Sequence, residues 1–288
     1  MPAKKKPSVN IAVFSDVHGN LPALRAVLAD IRGKNPDLVL CAGDLVGYGP
    51  FPGEVVDLVQ SRGILTVQGN YDDAVANFRL VCGCDYKSDR AREIGEHSII
   101  FAKTNTTDSQ KGYLAALPPQ LFVWPGSGGL TTGQHPPKAQ VQPPAVGLPG
   151  KEISVPAWPG RRPDLDAGAW LLHLVHGSPR RLNEYLRADT PEEVLAEIAA
   201  STPANILVFG HTHQCMHRLV DGVRFIGTGS AGKPKLGNPN PCYAWIEISD
   251  TVKVDFIEAT YDVRQVVEAM QSKEIPPELI DIIRTGRE

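Results

Sequence analysis

Five short polar segments of this chain follow apolar runs, and together they carry side chains that bind metal ions. The segments are Asp16-Val17-His18, Gly43-Asp44, Gly69-Asn70-Tyr71-Asp72, His176-Gly177 and Gly210-His211-Thr212-His213. Carboxylate, imidazole and amide donors suit the ions used in hydrolysis, provided that positions stay open for water and substrate. Asp16 and His18 are close enough in sequence to flank one ion in an extended tip. Asp44, alone in its segment, could bridge two ions.

Each polar segment follows a short run that we predict to be a buried strand. The runs are Ile11–Phe14, Leu38–Cys41, Ile64–Val67, Leu171–Val175 and Ile206–Phe209. Their shortness and flanking glycines favour strands over buried helix. Helical spacing between the first strands, as over Leu21–Ile31, predicts a parallel sheet with right-handed crossovers. Open α/β sheets bind ligands beyond the carboxyl ends of their strands, so we expect the five segments to meet in one place.

Further helices are predicted downstream. Residues 91–117 show helical periodicity, and Pro191–Ala200 is predicted to be a helix that Thr190 caps, with Glu193 completing a capping box. The segment after the third strand, which contains Asn70, is predicted to be a loop.

One domain is predicted over residues 1–288, with a Pro/Gly-rich insertion at about 125–168 and C-terminal helices at about 262–288. The insertion shows little helical or strand periodicity and lies between the predicted strands Gln120–Trp124 and Ala169–Val175. If those strands pair antiparallel, the insertion leaves the sheet at the end opposite the metal ligands. A surface extension is therefore favoured over an active-site lid.

Composition restricts the function classes. The chain has 288 residues, 42% of them hydrophobic, and a formal net charge of −3. It has no overall basic field, which argues against long nucleic acid as a partner. The absence of a long apolar run predicts a soluble, cytoplasmic protein with no membrane partner. The oligomeric state stays open, a homo-oligomer included.

The cysteines do not indicate a disulfide framework, because the chain has an odd number of them, 5 in all. Cys82-Gly83-Cys84 contains the only close pair. Two reduced thiols are the favoured interpretation, with a redox pair or a metal contact as the alternative.

The ordered motifs D-x-H, G-D, G-N-x-D, H-G and G-H-x-H resemble the calcineurin-like metallophosphoesterase superfamily. The contexts 176–179 (His-Gly-Ser-Pro) and 229–234 (Gly-Ser-Ala-Gly-Lys-Pro) resemble its bacterial phosphodiesterase-type members. The resemblance covers about residues 9–124 and 169–260. It implies an α/β fold, a four-layer α/β/β/α sandwich with two mixed sheets.

The same resemblance implies a dinuclear centre of divalent or transition metal ions, with Mn²⁺, Fe and Zn²⁺ as candidates. It implies a metal-bridging hydroxide as the nucleophile. The implied ligands are Asp16, His18 and His213 for the first ion, Asn70, His176 and His211 for the second, and Asp44 as the bridge. The residues implied in catalysis are Asp44, Asn70, Tyr71, Asp72 and His176.

One position departs from the family pattern. Tyr71 stands where many members carry a His that is proposed to protonate the leaving group. A phenol with an ordinary pKa near ~10 is poorly matched to acid catalysis at neutral pH. His97 is the reserve candidate for a general acid. Asp72 is expected to support the geometry of the motif, and 47–49 (Gly-Tyr-Gly) is expected to be a plain loop.

The favoured function is a metal-dependent phosphodiesterase that acts on small or nucleotide-like phosphodiesters, because relatives without that His tend to favour diesters or activated esters. A protein or small-molecule phosphomonoesterase is the alternative within the same chemistry. A non-catalytic metal-binding scaffold of the same fold is an alternative from another class, and a nuclease is a third.

Overall fold

The computed structural model describes residues 8–127, 129–137, 162–165 and 169–288. Its strands are β1 (Val9–Phe14), β2 (Leu38–Cys41), β3 (Leu65–Thr66), β4 (Gln120–Gly126), β5 (Gly129–Gly133), β6 (Leu172–Val175), β7 (Ile206–Phe209), β8 (Cys215–Val220), β9 (Val223–Thr228), β10 (Cys242–Ile248) and β11 (Val252–Glu258). Its helices are α1 (Leu21–Lys34), α2 (Pro52–Ser61), α3 (Asn70–Ala76), α4 (Asp89–Thr104), α5 (Asp108–Ala116), α6 (Glu192–Ser201), α7 (Val263–Ser272) and α8 (Pro277–Thr285).

The strands form two mixed sheets. The five-stranded sheet has the order β11-β10-β1-β2-β3, and the six-stranded sheet has the order β5-β4-β6-β7-β9-β8. Strands β1, β2 and β3 run parallel, as do β6, β7 and β9. Antiparallel strands complete both sheets. The parallel strands in each sheet bring their carboxyl ends to one edge, and that edge carries the polar segments.

Alternating side chains of the five-stranded sheet enter two different cores. Ile11 and Val13 of β1 pack in a cluster with Leu174 of the facing sheet. Ala12 and Phe14 belong to the cluster formed with the helices outside the sheet. Because both faces of the strand are covered over Ile11–Phe14, this part of β1 is apolar throughout rather than alternating.

The six-stranded sheet is covered on its outer face by α6. Leu207 and Phe209 of β7 pack there with Leu195 and Ile198 of the helix. The order of layers is therefore helix, sheet, sheet, helix, which confirms the predicted fold class. Within the described ranges, no helix is long and apolar enough to cross a membrane.

Two local predictions are wrong. Asn70 lies in the first turn of α3 rather than in a loop. Thr190 does not cap α6: Pro191 is the N-cap residue and no side chain caps the helix. The Thr190 hydroxyl instead accepts a hydrogen bond from the Arg187 amide at 2.8 Å. It closes the preceding turn, a use that competes with capping.

The predicted insertion begins as regular structure. Gly129–Gly133, which was expected to lack strand periodicity, forms β5 and pairs antiparallel with β4, with Phe122 opposite Gly133. Backbone pairing at a sheet edge does not require an alternating apolar pattern, which explains the difference. Strands β4 and β6 are antiparallel neighbours. Residues 138–161 and 166–168 lie outside the described residues, so the role of the insertion stays a prediction.

Candidate metal centre

The polar segments converge at the carboxyl ends of the parallel strands. In chain order, the structure brings together Asp16 and His18 after β1, Asp44 after β2, Asn70 after β3, His176 after β6, and His211 and His213 after β7. All of them are buried. Both sheets contribute, so the site spans the edge where the two sheets meet.

The first group of ligands consists of Asp16, His18 and His213, whose ligand atoms all lie within 4.8 Å of one another. The Nε2 atoms of His18 and His213 are 3.2 Å apart. Asp16 Oδ1 lies 3.4 Å from His213 Nε2 and 3.8 Å from His18 Nε2. One carboxylate and two imidazoles at this spacing match the donors that transition metals take.

The second group consists of Asp44, His176 and His211, again within 4.8 Å of one another. Asp44 Oδ2 lies 3.4 Å from His176 Nε2 and 3.7 Å from His18 Nε2, so this carboxylate stands between the two groups. Asn70 Oδ1 lies 2.9 Å from His176 Nε2 and adds an amide oxygen to the second group.

The hydrogen bonds orient the imidazoles for metal binding. The Nδ1 atoms of His18, His176 and His213 face the backbone carbonyls of Val46, Ala42 and Lys233 at 3.1, 2.7 and 2.5 Å. A carbonyl only accepts, so each Nδ1 must donate and each Nε2 is left to face the centre. Such bonds to the second ring nitrogen are the usual support of metal-bound histidines.

These orientations leave acceptors without donors. The bare Nε2 atoms of His18 and His213 face each other, a contact that a cation between them would stabilise. Asp16 Oδ1 and His211 Nε2 are also buried without any hydrogen-bond partner. Buried polar atoms are rarely left unpaired, so each exception calls for an explanation. The donor set and these orphaned atoms fit two metal ions.

The centre also attracts positive charge. Burial disfavours the imidazolium of His176, but Asp44 outweighs it and raises the pKa of His176 to about 9. Burial raises the pKa of Asp16 to about 7, and it lowers the pKa of His18 to about 3. The carboxylate of Asp44 thus favours a positive charge at His176, at a position that a cation would take.

Strained backbone holds the ligands in place. Asp16, His18, Asp44, His211 and His213 have φ values of 53°, 48°, 57°, 64° and 58°. Residues other than glycine rarely adopt this left-handed backbone conformation, which costs roughly 1–3 kcal/mol per residue. Five such residues in one cluster, each a candidate ligand, indicate that the fold aims these side chains at a common point.

Asp72 fixes the loop that carries Asp44. Its carboxylate accepts hydrogen bonds at 2.9 Å from the amides of Asp44, Leu45 and Gly69. Asp44 Oδ1 in turn accepts from the Tyr71 amide at 2.8 Å, which leaves Oδ2 for the centre. Asp72 therefore lies beside the ligands and positions them.

Asp16 is held by similar contacts. Its Oδ2 accepts from the Ser15 hydroxyl and, at 3.0 Å, from the His211 amide. The remaining Oδ1 is the orphaned oxygen directed at the first group. The His211 amide thus links a ligand segment of one sheet to a ligand of the other.

Tyr71 is buried beside the centre, and its ring centroid lies 5.2 Å from that of His18 in an edge-to-face arrangement. Its hydroxyl donates to the Tyr48 hydroxyl and lies 3.1 Å from the Tyr86 hydroxyl. Burial, followed by the nearby Cys82, raises the pKa of Tyr71 well above its usual range. This phenol keeps its proton within a cluster of tyrosines.

Several neighbours of the centre were missed by sequence reasoning. Tyr48, expected in a plain loop, has its ring 4.9 Å from the His18 ring. The Tyr185 ring lies 4.1 Å from the His211 ring. The Asn70 amide donates to the Cys82 carbonyl at 3.1 Å and to Cys84 Sγ at 3.3 Å. The nearness of Tyr48 to Asp44 in sequence was the only available signal.

The other histidines lie elsewhere. His173 is buried, stacks on Phe122 at 4.2 Å and bonds to Thr202 and Gln120. His97, the reserve acid, is exposed on α4 and belongs to neither ligand group. Its predicted role gains no support from this position.

The chain is similar to known proteins over nearly its whole length. The chain is 24% identical over 294 residues to an uncharacterized protein of Methanocaldococcus jannaschii, covering 96% of this chain and 98% of that one. It resembles the crystal structure of a metallophosphoesterase from Sphaerobacter thermophilus, with a TM-score of 0.66, 22% identity, and 97% and 100% of the two chains covered. A hypothetical protein from Pyrococcus horikoshii has a TM-score of 0.69 at 18% identity, with 97% and 99% covered.

These two structural likenesses show the fold alone. The family follows from the sequence, because residues 9–215 match the calcineurin-like phosphoesterases. All seven candidate ligands fall inside that match. The chain therefore belongs to the calcineurin-like phosphoesterase family.

Proposed function

We propose that the protein is a dinuclear-metal phosphodiesterase that hydrolyses small or nucleotide-like phosphodiesters. The observation that carries the proposal is the meeting of two buried ligand groups whose bare nitrogen and oxygen atoms lack donors. Two bound ions would supply a nucleophilic water at neutral pH and neutralise charge on the phosphoryl oxygens. Nitrogen and oxygen donors suit Mn²⁺, Fe or Zn²⁺, and we propose Mn²⁺ first.

Hydrogen bonds within the chain hold the candidate ligands in fixed positions. Asp72 keeps the Asp44 loop in place through three backbone amides. Asn70 turns its oxygen towards His176 because its amide nitrogen is bonded to the Cys82 carbonyl. Groups fixed in this way need little reorganisation when charge develops on the substrate.

The surroundings of Tyr71 argue against alkyl monoesters as the substrate. Its hydroxyl is engaged with Tyr48 and Tyr86, and its raised pKa opposes release of the proton. A leaving group that departs as a stable anion requires no proton, whereas an alkyl monoester gains much from an acid. We propose a cytoplasmic location, because the five cysteines are free thiols, which suits a reducing compartment.

The direct test is turnover of bis-p-nitrophenyl phosphate by the purified protein after chelation and addition of Mn²⁺, Fe²⁺ or Zn²⁺. We expect turnover with added metal and none after chelation. A metal-loaded protein that turns over neither this diester nor a panel of nucleotide diesters would contradict the proposal.

Replacing Tyr71 should shift the substrate preference. We expect Tyr71→His to raise phosphomonoesterase activity relative to diesterase activity by at least about tenfold, because general acid catalysis contributes ~10²–10⁴-fold. The measurement is the ratio of kcat/KM for glycerol 2-phosphate, an alkyl monoester followed by phosphate release, to kcat/KM for bis-p-nitrophenyl phosphate, whose leaving group needs no proton. Tyr71→Phe is the control, since it removes the hydroxyl without adding an imidazole. An unchanged ratio in Tyr71→His would remove this position from the leaving-group chemistry.

A further inference from the structure

A buried lysine lies next to the metal centre. Lys233 is 1% exposed, and its Nζ lies 4.2 Å above the ring of Tyr48, which itself contacts His18. The backbone carbonyl of Lys233 accepts from His213 Nδ1. Burying an ammonium group is costly unless it is paired. The position of Lys233 therefore requires a nearby anion.

That anion is Glu288, which bridges two lysines. Its Oε1 lies 2.8 Å from Lys233 Nζ and its Oε2 lies 2.7 Å from Lys235 Nζ. Burial opposes ionisation of this carboxyl, but the two lysines lower the pKa of Glu288 to about 2. A carboxylate whose two oxygens each meet an ammonium occupies the position that two oxygens of a phosphate group would take.

The lysine pair lies beside the centre. The carbonyl of Lys233 accepts from Nδ1 of the candidate ligand His213 at 2.5 Å, and the ring of Tyr48, below Lys233 Nζ, has its centroid 4.9 Å from that of His18. Lys235 follows two residues later and pairs with the same carboxylate as Lys233. An anion held by the lysines would therefore lie close to the metal ligands.

Glu288 is the accessible member of this arrangement. Its side chain is 46% exposed, against 23% for Lys235 and 1% for Lys233. The segment that carries Glu288 forms a bridge between Leu236 and Arg287, accepts a hydrogen bond from the Gly237 amide at the Gly286 carbonyl at 2.6 Å, and packs Gly286 against the backbone of Asn238. Displacing Glu288 would uncover two cations without disturbing either sheet.

We propose that Lys233 and Lys235 form a second phosphate subsite, which Glu288 fills until a phosphate group of the substrate displaces it. The subsite rests on the proposed function, and it narrows the substrate class to esters that carry a further phosphate group beside the scissile one. Simple diesters leave Glu288 in place, whereas substrates with the additional phosphate exchange one anion for another.

The test compares the binding of pyrophosphate and inorganic phosphate to the 288-residue chain by calorimetry, in Mn²⁺-loaded and chelator-treated forms. Metal content is measured after each titration, so that removal of metal by pyrophosphate is detected. We expect Glu288→Gln to raise the affinity for pyrophosphate relative to phosphate about tenfold, since a charge-assisted pair is lost from the free state. Adding Lys235→Gln should abolish that gain.

Glu278→Gln is the matched control. Glu278 is 43% exposed and pairs with Arg90, so its replacement changes the net charge equally at another surface. An equal gain in this control, no gain in Glu288→Gln, or a gain that survives Lys235→Gln would overturn the subsite. If Glu288→Gln fails to fold, the single variant Lys235→Gln decides: we expect several-fold weaker pyrophosphate binding, and unchanged binding would overturn the proposal.

This experiment separates the two proposals. Turnover of bis-p-nitrophenyl phosphate without any effect of Glu288→Gln on pyrophosphate binding would sink the subsite and leave the diesterase function standing. An effect of Glu288→Gln on pyrophosphate binding without turnover of any diester would contradict the diesterase function and leave the subsite standing.

Discussion

Asp44→Asn should lower diesterase activity by about a thousandfold, or ~4 kcal/mol of transition-state stabilisation. The carboxylate oxygen Asp44 Oδ2 stands between His18 and His176, so the substitution removes the one charge that both ligand groups share. An amide of nearly the same size keeps the packing. The measurement is kcat/KM for bis-p-nitrophenyl phosphate at saturating Mn²⁺.

The matched control for this prediction is Asp250→Asn. Asp250 is exposed in the turn between β10 and β11, away from both ligand groups, and its loss changes the net charge by the same amount. We expect the control to retain full activity. Equal activity of Asp44→Asn and the wild type would show that Asp44 is no shared ligand.

Gly69→Ala should disable the centre through its backbone. A Cβ at Gly69 would lie 2.1 Å from Asp44 Oδ1 and 2.2 Å from the Asp44 amide nitrogen, closer than such atoms can approach. Either the Asp44 loop or the start of α3 must move. We expect a loss of about 1–3 kcal/mol in the free energy of unfolding. Activity should fall by at least about tenfold, because a small misplacement of reacting groups is enough for that.

Gly112→Ala is the control for this backbone effect. Gly112 lies in α5, and a Cβ there would meet nothing within 4 Å. Alanine in a helix interior should stabilise the protein by ~0.5–1 kcal/mol, and activity should not change. If Gly69→Ala keeps both the stability and the activity of the wild type, the close approach of Gly69 to Asp44 has no role in the centre.

The sequence predicted much of the fold because short apolar runs and their polar ends are local signals. The predicted run Ile11–Phe14 is β1 without its first two residues, and the predicted run Ile206–Phe209 coincides with β7. Helix boundaries were weaker signals. Thr190 offers a capping hydroxyl, but its own preceding turn uses it, and local propensity does not resolve such competition.

The candidate site, like the fold, could be predicted from the sequence only in part. Ligand types and their order along the chain are visible in the sequence, and the family resemblance that they carry implies Asp44 as the bridge. The surroundings depend on contacts between distant segments. Lys233 meets Glu288 across 55 residues, and Asn20 reaches Gly232 across 212 residues, so neither pairing has a periodic signal.

Tyr71 shows most clearly what the sequence alone does not predict. Its identity marks a departure from the family pattern, yet its surroundings come from Tyr48 and Tyr86, which lie 23 and 15 residues away in sequence. The sequence therefore predicts that an acid is missing at this position, while the hydrogen bonds that hold the phenol proton appear only in the structure.

The central claim is that the two ligand groups hold two metal ions, and the most direct test is a metal count. The protein should be loaded with Mn²⁺ and freed of unbound metal by gel filtration. The number of bound ions per chain is then measured by inductively coupled plasma mass spectrometry. Two ions per chain are expected for the wild type, with fewer for Asp44→Asn and no change for Asp250→Asn. A wild-type protein that retains one ion or none, with Mn²⁺, Fe²⁺ and Zn²⁺ alike, would contradict the account.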